Sequence, residues 1–486
     1  MRKPSLALVL LLSCACVRNP ATGKLELDLI PESQEIEMGK QGVADTEKSI
    51  GLYKNGKAEA YVDALGKRLS QETPRKNLPW QFHIVDDPTV NAFALPGGPV
   101  FVTRGILGTL NSESELAEVM GHECGHISAR HSANMVSKGE LTQLGLGLGT
   151  VLAPSLGALG QLAGAGAQLL FLKFSRTDEE QADWLGFGSA AALGYDVRTM
   201  QNLFQTLGRV TALAGGGKVP SYLMTHPDPE ARLATVQQRL ADARLDLSTA
   251  KIGRDEYLAA IDGLEYGEDP RQGFFKGDLF LHPGLKIQLQ FPAGWKHQNT
   301  PQAVVAASPE QDAMVQMESA GNVSPEDAAA KFFSQQGIEK GPAGGATVNG
   351  QRSVSGYFAG QTQQGPIEGL ATFVSVNNAT FALLGYTGQG GMQKYDAAFK
   401  QTMGSIGDLK DPSALSAQPA HIQIVQVERD MSVDEFNRAH PSTIRLEELA
   451  LINGVDKGGV IKAGKAKAVV GGTRPAPLGS VPMTPK

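Results

Sequence analysis

Cysteine is nearly absent: the chain has three in 486 residues, at positions 14, 16 and 124. With the first two inside an N-terminal leader, one internal thiol remains, which excludes a disulfide framework. Basic runs are absent too. Fifty acidic side chains face 44 basic ones, a net charge of −6, which argues against a nucleic-acid partner. No stretch offers the paired acids that glycoside cleavage needs. Long apolar runs are also missing. The one from Leu6 to Leu12 is too short to span a bilayer.

What is present is His122-Glu123-Cys124-Gly125-His126, an H-E-x-x-H pattern. Leu116, Val119, Met120 and Ile127 around it repeat as one apolar helical face. Residues four apart on a helix share a face, so His122 and His126 can aim two imidazoles at one Zn²⁺. Glu123 then sits beside the metal, placed to take a proton from bound water. That is zinc-hydrolase chemistry, most often peptidase chemistry. Cys124 faces away and reads as a small packing residue.

Residues 1–16 read as a lipoprotein signal peptide: Arg2-Lys3, the apolar run, then small residues and cysteine. Leu11-Leu12-Ser13 before Cys14 is closer to the usual cleavage box. Cys16-Val-Arg-Asn-Pro-Ala-Thr-Gly resembles the C-x-x-N-P-x-T-G start of mature lipoprotein metallopeptidases, and Cys16 is the preferred lipidation site over Cys14. The expectation is an exported, lipid-anchored protein on the periplasmic face of the outer membrane. Neither Ala15 nor Val17, the residues after the two cysteines, is the aspartate that often retains lipoproteins in the inner membrane.

The fold expected is α+β and multidomain. Residues 17–270 form a mainly helical domain with a small sheet. Its elements are a helical pattern from Glu32 to Glu72, a strand at Trp80-Phe82-Ile84, the segment 91–103 with a glycine turn, the H-E-x-x-H helix, and helices from about Thr177 and from Pro229. The uncharged stretch 141–172 contains Pro154, many glycines, Gln143, Gln161 and Gln168. It reads as two packed or membrane-facing helices over the site rather than a span. Residues 274–409 are expected to form an antiparallel α+β domain, with paired strands around Asn377-Asn378. A Ser/Pro/Ala linker at 410–420 follows, then a separate β-α-α-β unit at 421–471 and a disordered Pro/Gly-rich tail at 472–486.

A catalytic zinc needs a third protein ligand and an open position for water. Ser175-Arg-Thr-Asp-Glu179-Glu-Gln-Ala-Asp183 offers two carboxylates four apart on one helical face. One can ligate while the other accepts the free ring N–H of a ligand histidine. Glu180 competes, although it points about 100° away around the helix. Taken alone, the same acids also suit an ordinary solvated helix start. His131 lies five residues past His126 and is expected to leave the ligand face. His83, His282, His297, His421 and His440 fall outside every motif.

Four motifs occur in order: Asn91–Gly98 (N-A-F-A-x-P-G-G), His122–His126, Ser175–Asp183 (S-R-x-x-E-x-x-A-D) and Thr225–Arg232 (T-H-P-x-P-x-x-R). This set resembles the HtpX/BepA-type gluzincins, metallopeptidase family forty-eight, over about residues 17–265. The resemblance implies one Zn²⁺ per chain held by His122, His126 and Glu179, with Glu123 as general base and Asp183 behind a ligand histidine. It also implies that Asn91, Ala92, Phe93 and Ala94 form an edge strand for substrate backbone. By the same resemblance His226 lies near the metal, either as a fourth ligand that shuts the site or as a donor to the developing oxyanion, and Arg232 fixes its loop by an ion pair. Residues 274–409 vaguely resemble the Mog/PsbP-like fold. Residues 421–471, with Leu-Ala-Leu-Ile-Asn-Gly, resemble a LysM domain, which implies peptidoglycan as a partner. Glu428-Arg429-Asp430-Met431 replaces the Gly-Asp-Thr loop usual there.

The expected function is therefore a zinc-dependent metalloendopeptidase of the bacterial envelope, cutting misfolded or stalled polypeptides. The alternative is an envelope chaperone or scaffold with a latent site capped by His226.

Overall fold

The computed structural model describes residues 16–19, 21, 23, 25–27, 30–136, 174–213, 222, 225–226, 229–243, 246–362 and 365–472. The leader with Cys14, the uncharged stretch 141–172, Pro227 and the tail from 473 lie outside the described residues. Two compact units result, Met1–Gly267 with Ala420–Lys486, and Glu268–Pro419.

The first unit opens with strands β1 (Cys16–Arg18) and β2 (Leu25–Leu27), an antiparallel pair. The next residue after β1, Asn19, is buried and donates from Nδ2 to the Ala129 carbonyl at 2.9 Å. The helical pattern expected from Glu32 to Glu72 is made by two helices, α1 (Glu32–Ser49) and α2 (Gly56–Gln71). Gly51 takes φ +92°, which ends the first, and the Asn55 side chain accepts from the Ala58 N–H to start the second. Strands β3 (Gln81–Val85), β4 (Ala92–Ala94) and β5 (Pro99–Thr103) make a sheet in the order β3-β5-β4. Central β5 is wholly buried, parallel to β3 and antiparallel to β4, which is left as the edge.

Helices α3 (Arg104–Thr109) and α4 (Glu113–Ser128) follow. Ser112 caps α4 by accepting from the Glu115 N–H. Every residue of α4 is buried, so its polar side chains must find partners inside the protein. Helix α5 (Arg176–Ala192) starts in a capping box made by Ser175 and Asp178. It packs on α4 at backbone distance: a Cβ added to Gly186 would lie 2.6 Å from the His122 nitrogen. Only a residue without a side chain lets α5 approach His122 this closely. Gly186→Val is expected to force the helices apart, costing about 1–3 kcal/mol of stability. The check is a thermal melt together with zinc content. A variant with unchanged Tm and zinc would contradict the close-approach account. Helices α6 (Thr199–Leu213), α7 (Pro229–Ala243) and α8 (Arg254–Ile261) and strand β6 (Glu265–Tyr266) complete this stretch.

The second unit carries β7 (Phe274–Lys276), β8 (Leu279–His282), β9 (Ile287–Gln290), β10 (Lys296–Asn299), β11 (Ala303–Ala307), β12 (Ala313–Gly321), helix α9 (Pro325–Phe333), β13 (Ile338–Val348), β14 (Gln351–Thr362), β15 (Gly365–Val376), β16 (Ala379–Gly388), helix α10 (Met392–Ser405), β17 (Gly407–Asp408) and helix α11 (Pro412–Leu415). Seven antiparallel strands run β10-β11-β12-β16-β15-β14-β13, and four more run β17-β9-β8-β7. The expected hairpin joins β15 to β16, with Asn377 and Asn378 at φ +50° and +65°, as a two-residue turn of this hand needs. The expected linker is not a free spacer. It contains α11, and Ala414 and Ala417 are buried, Ala414 in a cluster with Leu281 and Leu409.

The chain then returns to the first unit with β18 (Ala420–Val427), β19 (Met431–Ser432), α12 (Val433–Ala439), α13 (Leu446–Ile452), β20 (Val460–Ile461) and β21 (Gly464–Gly471). The β-α-α-β order is the expected one. Its independence is not. Strand β18 pairs with β21 on one side and β6 on the other, and Phe436, Leu449 and Val469 share a core with Leu116, Val119 and Met120 of α4. Lys467 is fully buried and donates from Nζ to the carbonyls of Gly108 and Leu110, just before the α4 cap. About fifty residues bury only a small apolar core of their own, and this segment enlarges it by sharing one.

Candidate active site

Helix α4 presents His122, Glu123 and His126; α5 presents Glu179 and Asp183; His226 arrives on the short segment before α7, which itself supplies Arg232. Each is buried, at 4% exposure or less. The ligating atoms of His122, His126, Glu179 and His226 all lie within 4.8 Å of one another. His122 Nε2 is 2.9 Å from His126 Nε2 and 3.2 Å from His226 Nδ1. Glu179 Oε1 is 3.0 Å from His226 Nδ1 and 3.5 Å from His126 Nε2, and its Oε2 is 3.5 Å from His122 Nε2. A tetrahedral Zn²⁺ with bonds of about 2.0–2.1 Å has ligand-to-ligand edges of about 3.3 Å. The cluster already has that size. Glu180, the competing carboxylate, is exposed and outside it.

The donor set also suits a cation chemically. Burial lowers the pKa of His122, of His126 (where His122, His131 and His226 add to the effect) and of His226, the last down to about 3 with Arg232 contributing. All three rings are therefore neutral near pH 7, the state that ligates metal. Burial pushes the Glu123 carboxyl well above its usual range, reinforced by the charge of Glu179. Glu123 Oε1 is buried without a hydrogen-bond partner among the described residues, while Glu179 Oε2 faces the Arg232 guanidinium at 3.0 Å. An unsatisfied carboxylate oxygen and a second carboxylate beside three lone-pair nitrogens are a donor set that suits a divalent cation.

Behind the cluster, His122 Nδ1 donates to Asp183 Oδ1 at 2.9 Å. Arg232 clamps the same carboxylate with two bonds, Nη2 to Oδ1 at 2.7 Å and Nε to Oδ2 at 2.9 Å, and its Nη1 lies 3.0 Å from Glu179 Oε2. Burial alone would raise the Asp183 pKa. The Arg232 charge and the His122 hydrogen bond outweigh it and hold Asp183 well below the carboxylate range. The ion pair expected of Arg232 is thus made with α5.

Asn91, Ala92, Phe93 and Ala94 stand where an edge strand was expected. Ala92 and Phe93 are also buried, with Phe93 stacked on Phe101 at 4.7 Å, so edge and core readings both hold. Just before that strand, the Tyr222 N–H donates to the Val90 carbonyl at 3.3 Å. His226 Nε2 lies 3.5 Å from Glu123 Oε1.

His131 is off the ligand cluster, as expected, but it is buried behind it, with its Nδ1 2.9 Å from His126 Nδ1. Helix α4 ends at Ser128, and Arg130 turns the chain at φ +59°, which returns His131 beneath the site. Phe174, which no motif singled out, stacks on His126 at 4.0 Å. Cys124 is buried, as expected of a packing residue.

Residues 56–240 match the family model described as Peptidase family M48. The chain is 32% identical over 216 residues to a beta-barrel assembly-enhancing protease of Yersinia pestis, covering 42% of this chain and 44% of that protein. It is 30% identical over 236 residues to the Escherichia coli protein of the same name, covering 46% and 47%. It is 34% identical over 192 residues to the mitochondrial metalloendopeptidase OMA1 of Schizosaccharomyces pombe, covering 39% and 55%. The chain thus spans about half the length of these curated relatives. Likenesses to solved structures are slight and carry no argument: cyanobacterial PsbP from Synechocystis at 13% identity, TM-score 0.23, covering 28% of this chain and 94% of that one, and Mog1 at 7%, TM-score 0.22, covering 29% and 100%. Motif order, the buried His/Glu cluster and these similarities agree: over residues 56–240 the chain matches Peptidase family M48 and is similar to HtpX/BepA-like metallopeptidases.

Proposed function

We propose that this chain is a zinc-dependent endopeptidase of the bacterial cell envelope that cuts misfolded or stalled envelope polypeptides. The observation that carries the reading is the buried tetrahedron of His122, His126, Glu179 and His226 beside Glu123. The first three residues hold the zinc. Bound there, the ion would polarise the scissile carbonyl and acidify a water. Glu123 takes the water proton and passes it to the leaving amine. Asp183, clamped by Arg232, keeps the His122 proton on Nδ1 so that Nε2 keeps its lone pair for the metal. An extended substrate adds to the β4 edge through backbone hydrogen bonds, which tolerates many sequences. The names of the relatives and the leader-like N-terminus support an envelope location, with Cys16 as the lipid-bearing residue. Among the described residues no helix is long and apolar enough to cross a membrane.

A latent state is favoured by a specific observation. His226 Nδ1 fills the corner that a catalytic zinc leaves open, and Tyr222, four residues before it, bonds the Val90 carbonyl just ahead of the β4 edge that substrate needs. His226 then acts as a cap. His226→Ala is expected to hydrolyse an unfolded protein about tenfold faster than wild type, since an oxyanion donor lost would instead slow it about tenfold or more. A slower variant would sink the cap and support the donor role. For residues 420–472, burial in the shared core supports a structural role. Peptidoglycan binding by them is a separate proposal that co-sedimentation tests.

A further inference from the structure

We propose that His131 is a positioning residue for the metal site. It determines which ring nitrogen of His126 carries the proton, and so keeps the His126 Nε2 lone pair on the cluster. The inference rests on the zinc-site reading above and extends it to a residue outside the four motifs.

Each ligand imidazole needs its other nitrogen held. His122 has the Asp183 carboxylate for this; His126 has a second imidazole, His131, with the two Nδ1 atoms 2.9 Å apart. At that distance one nitrogen donates and the other accepts. The far side of His131 decides which. Its Nε2 lies 3.1 Å from Gln181 Oε1 and 3.7 Å from Asp178 Oδ1, both acceptors. A proton on His131 Nε2 satisfies that side and leaves His131 Nδ1 with a lone pair. His126 must then donate from Nδ1, which leaves its Nε2 unprotonated. That Nε2 is the atom 2.9 Å from His122 Nε2 and 3.5 Å from Glu179 Oε1. The reverse arrangement would place a proton in the middle of the cluster. The stacked Phe174 ring limits tilt of His126, so the hydrogen bond to His131 is what sets its rotation. The first turns of α5, which supply Glu179, therefore also orient His126 through Gln181.

The test is zinc affinity of the full chain, by competition with a chromophoric chelator, together with the Co²⁺ absorption spectrum. His131→Leu removes the acceptor and is expected to weaken zinc about 10–100-fold and to shift the Co²⁺ bands. His131→Asn keeps an acceptor oxygen near the old Nδ1 position and is expected to stay within about threefold of wild type. Leucine binding zinc like wild type overturns the proposal, and so does asparagine losing as much as leucine, since packing would then be the cause. If His131→Leu fails to fold, Gln181→Leu on half-buried Gln181 serves: several-fold weaker zinc supports the proposal, and unchanged affinity overturns it. A wild-type chain that binds no zinc would instead overturn the zinc-site reading, so the two failures are distinct.

Discussion

Glu123→Gln is expected to abolish hydrolysis of an unfolded protein by the purified chain, by about 10³-fold or more, while leaving zinc content unchanged. Glutamine has nearly the same shape, so α4 and the ligand geometry survive. What disappears is the carboxylate beside the cluster that can accept a proton from water and return it. Its Oε1 has no hydrogen-bond partner among the described residues, so no structural bond is lost with it. Glu123 is buried 3.5 Å from His226 Nε2, and its charge opposes that of Glu179. Neutralising it removes that repulsion, so the melting temperature should hold or rise. Activity per zinc-loaded chain, assayed with and without a chelator, is the measurement. A chelator-sensitive activity within tenfold of wild type would show that another group carries the proton.

Glu179→Gln is expected to weaken zinc binding about 10²–10³-fold, with activity lost in parallel. Protein zinc sites are worth about 10–16 kcal/mol over four ligands, so one ligand carries roughly 3–4 kcal/mol. The amide keeps an oxygen but not the charge. It also leaves Arg232 with Asp183 as its remaining carboxylate partner within ion-pair distance at the site. Glu180→Gln is the matched control: it changes an exposed side chain outside the cluster and should retain zinc. Zinc per chain after dialysis against a graded chelator reads both. The reverse pattern, with Glu180→Gln losing the metal, would refute the ligand assignment.

The local chemistry was legible in the chain because its spacing is helical. His122 and His126 lie four apart, as do Glu179 and Asp183, and both pairs do converge. The Asn-Asn hairpin and the helix start near Thr177 were readable for the same reason: a turn or a helix start is decided within a few residues. The helical pattern over 32–72 is carried by two helices with Gly51 between them, and His131, past the end of α4, stands off the ligand face but behind His126, a placement no local pattern could give.

The sequence by itself determined the candidate metal-binding pair and the carboxylate between them, since both depend on residues within about one helical turn, and it carried the order of the four motifs. The tertiary structure alone decided three other things. Gly186 lets α5 reach the α4 backbone, so Glu179, 53 residues beyond His126, meets it. His226 enters the fourth corner of the site. Residues 420–472 fold into the core of the first unit rather than beside it. All three join residues far apart in the chain, and such contacts are set by packing and burial, to which no local periodicity is sensitive.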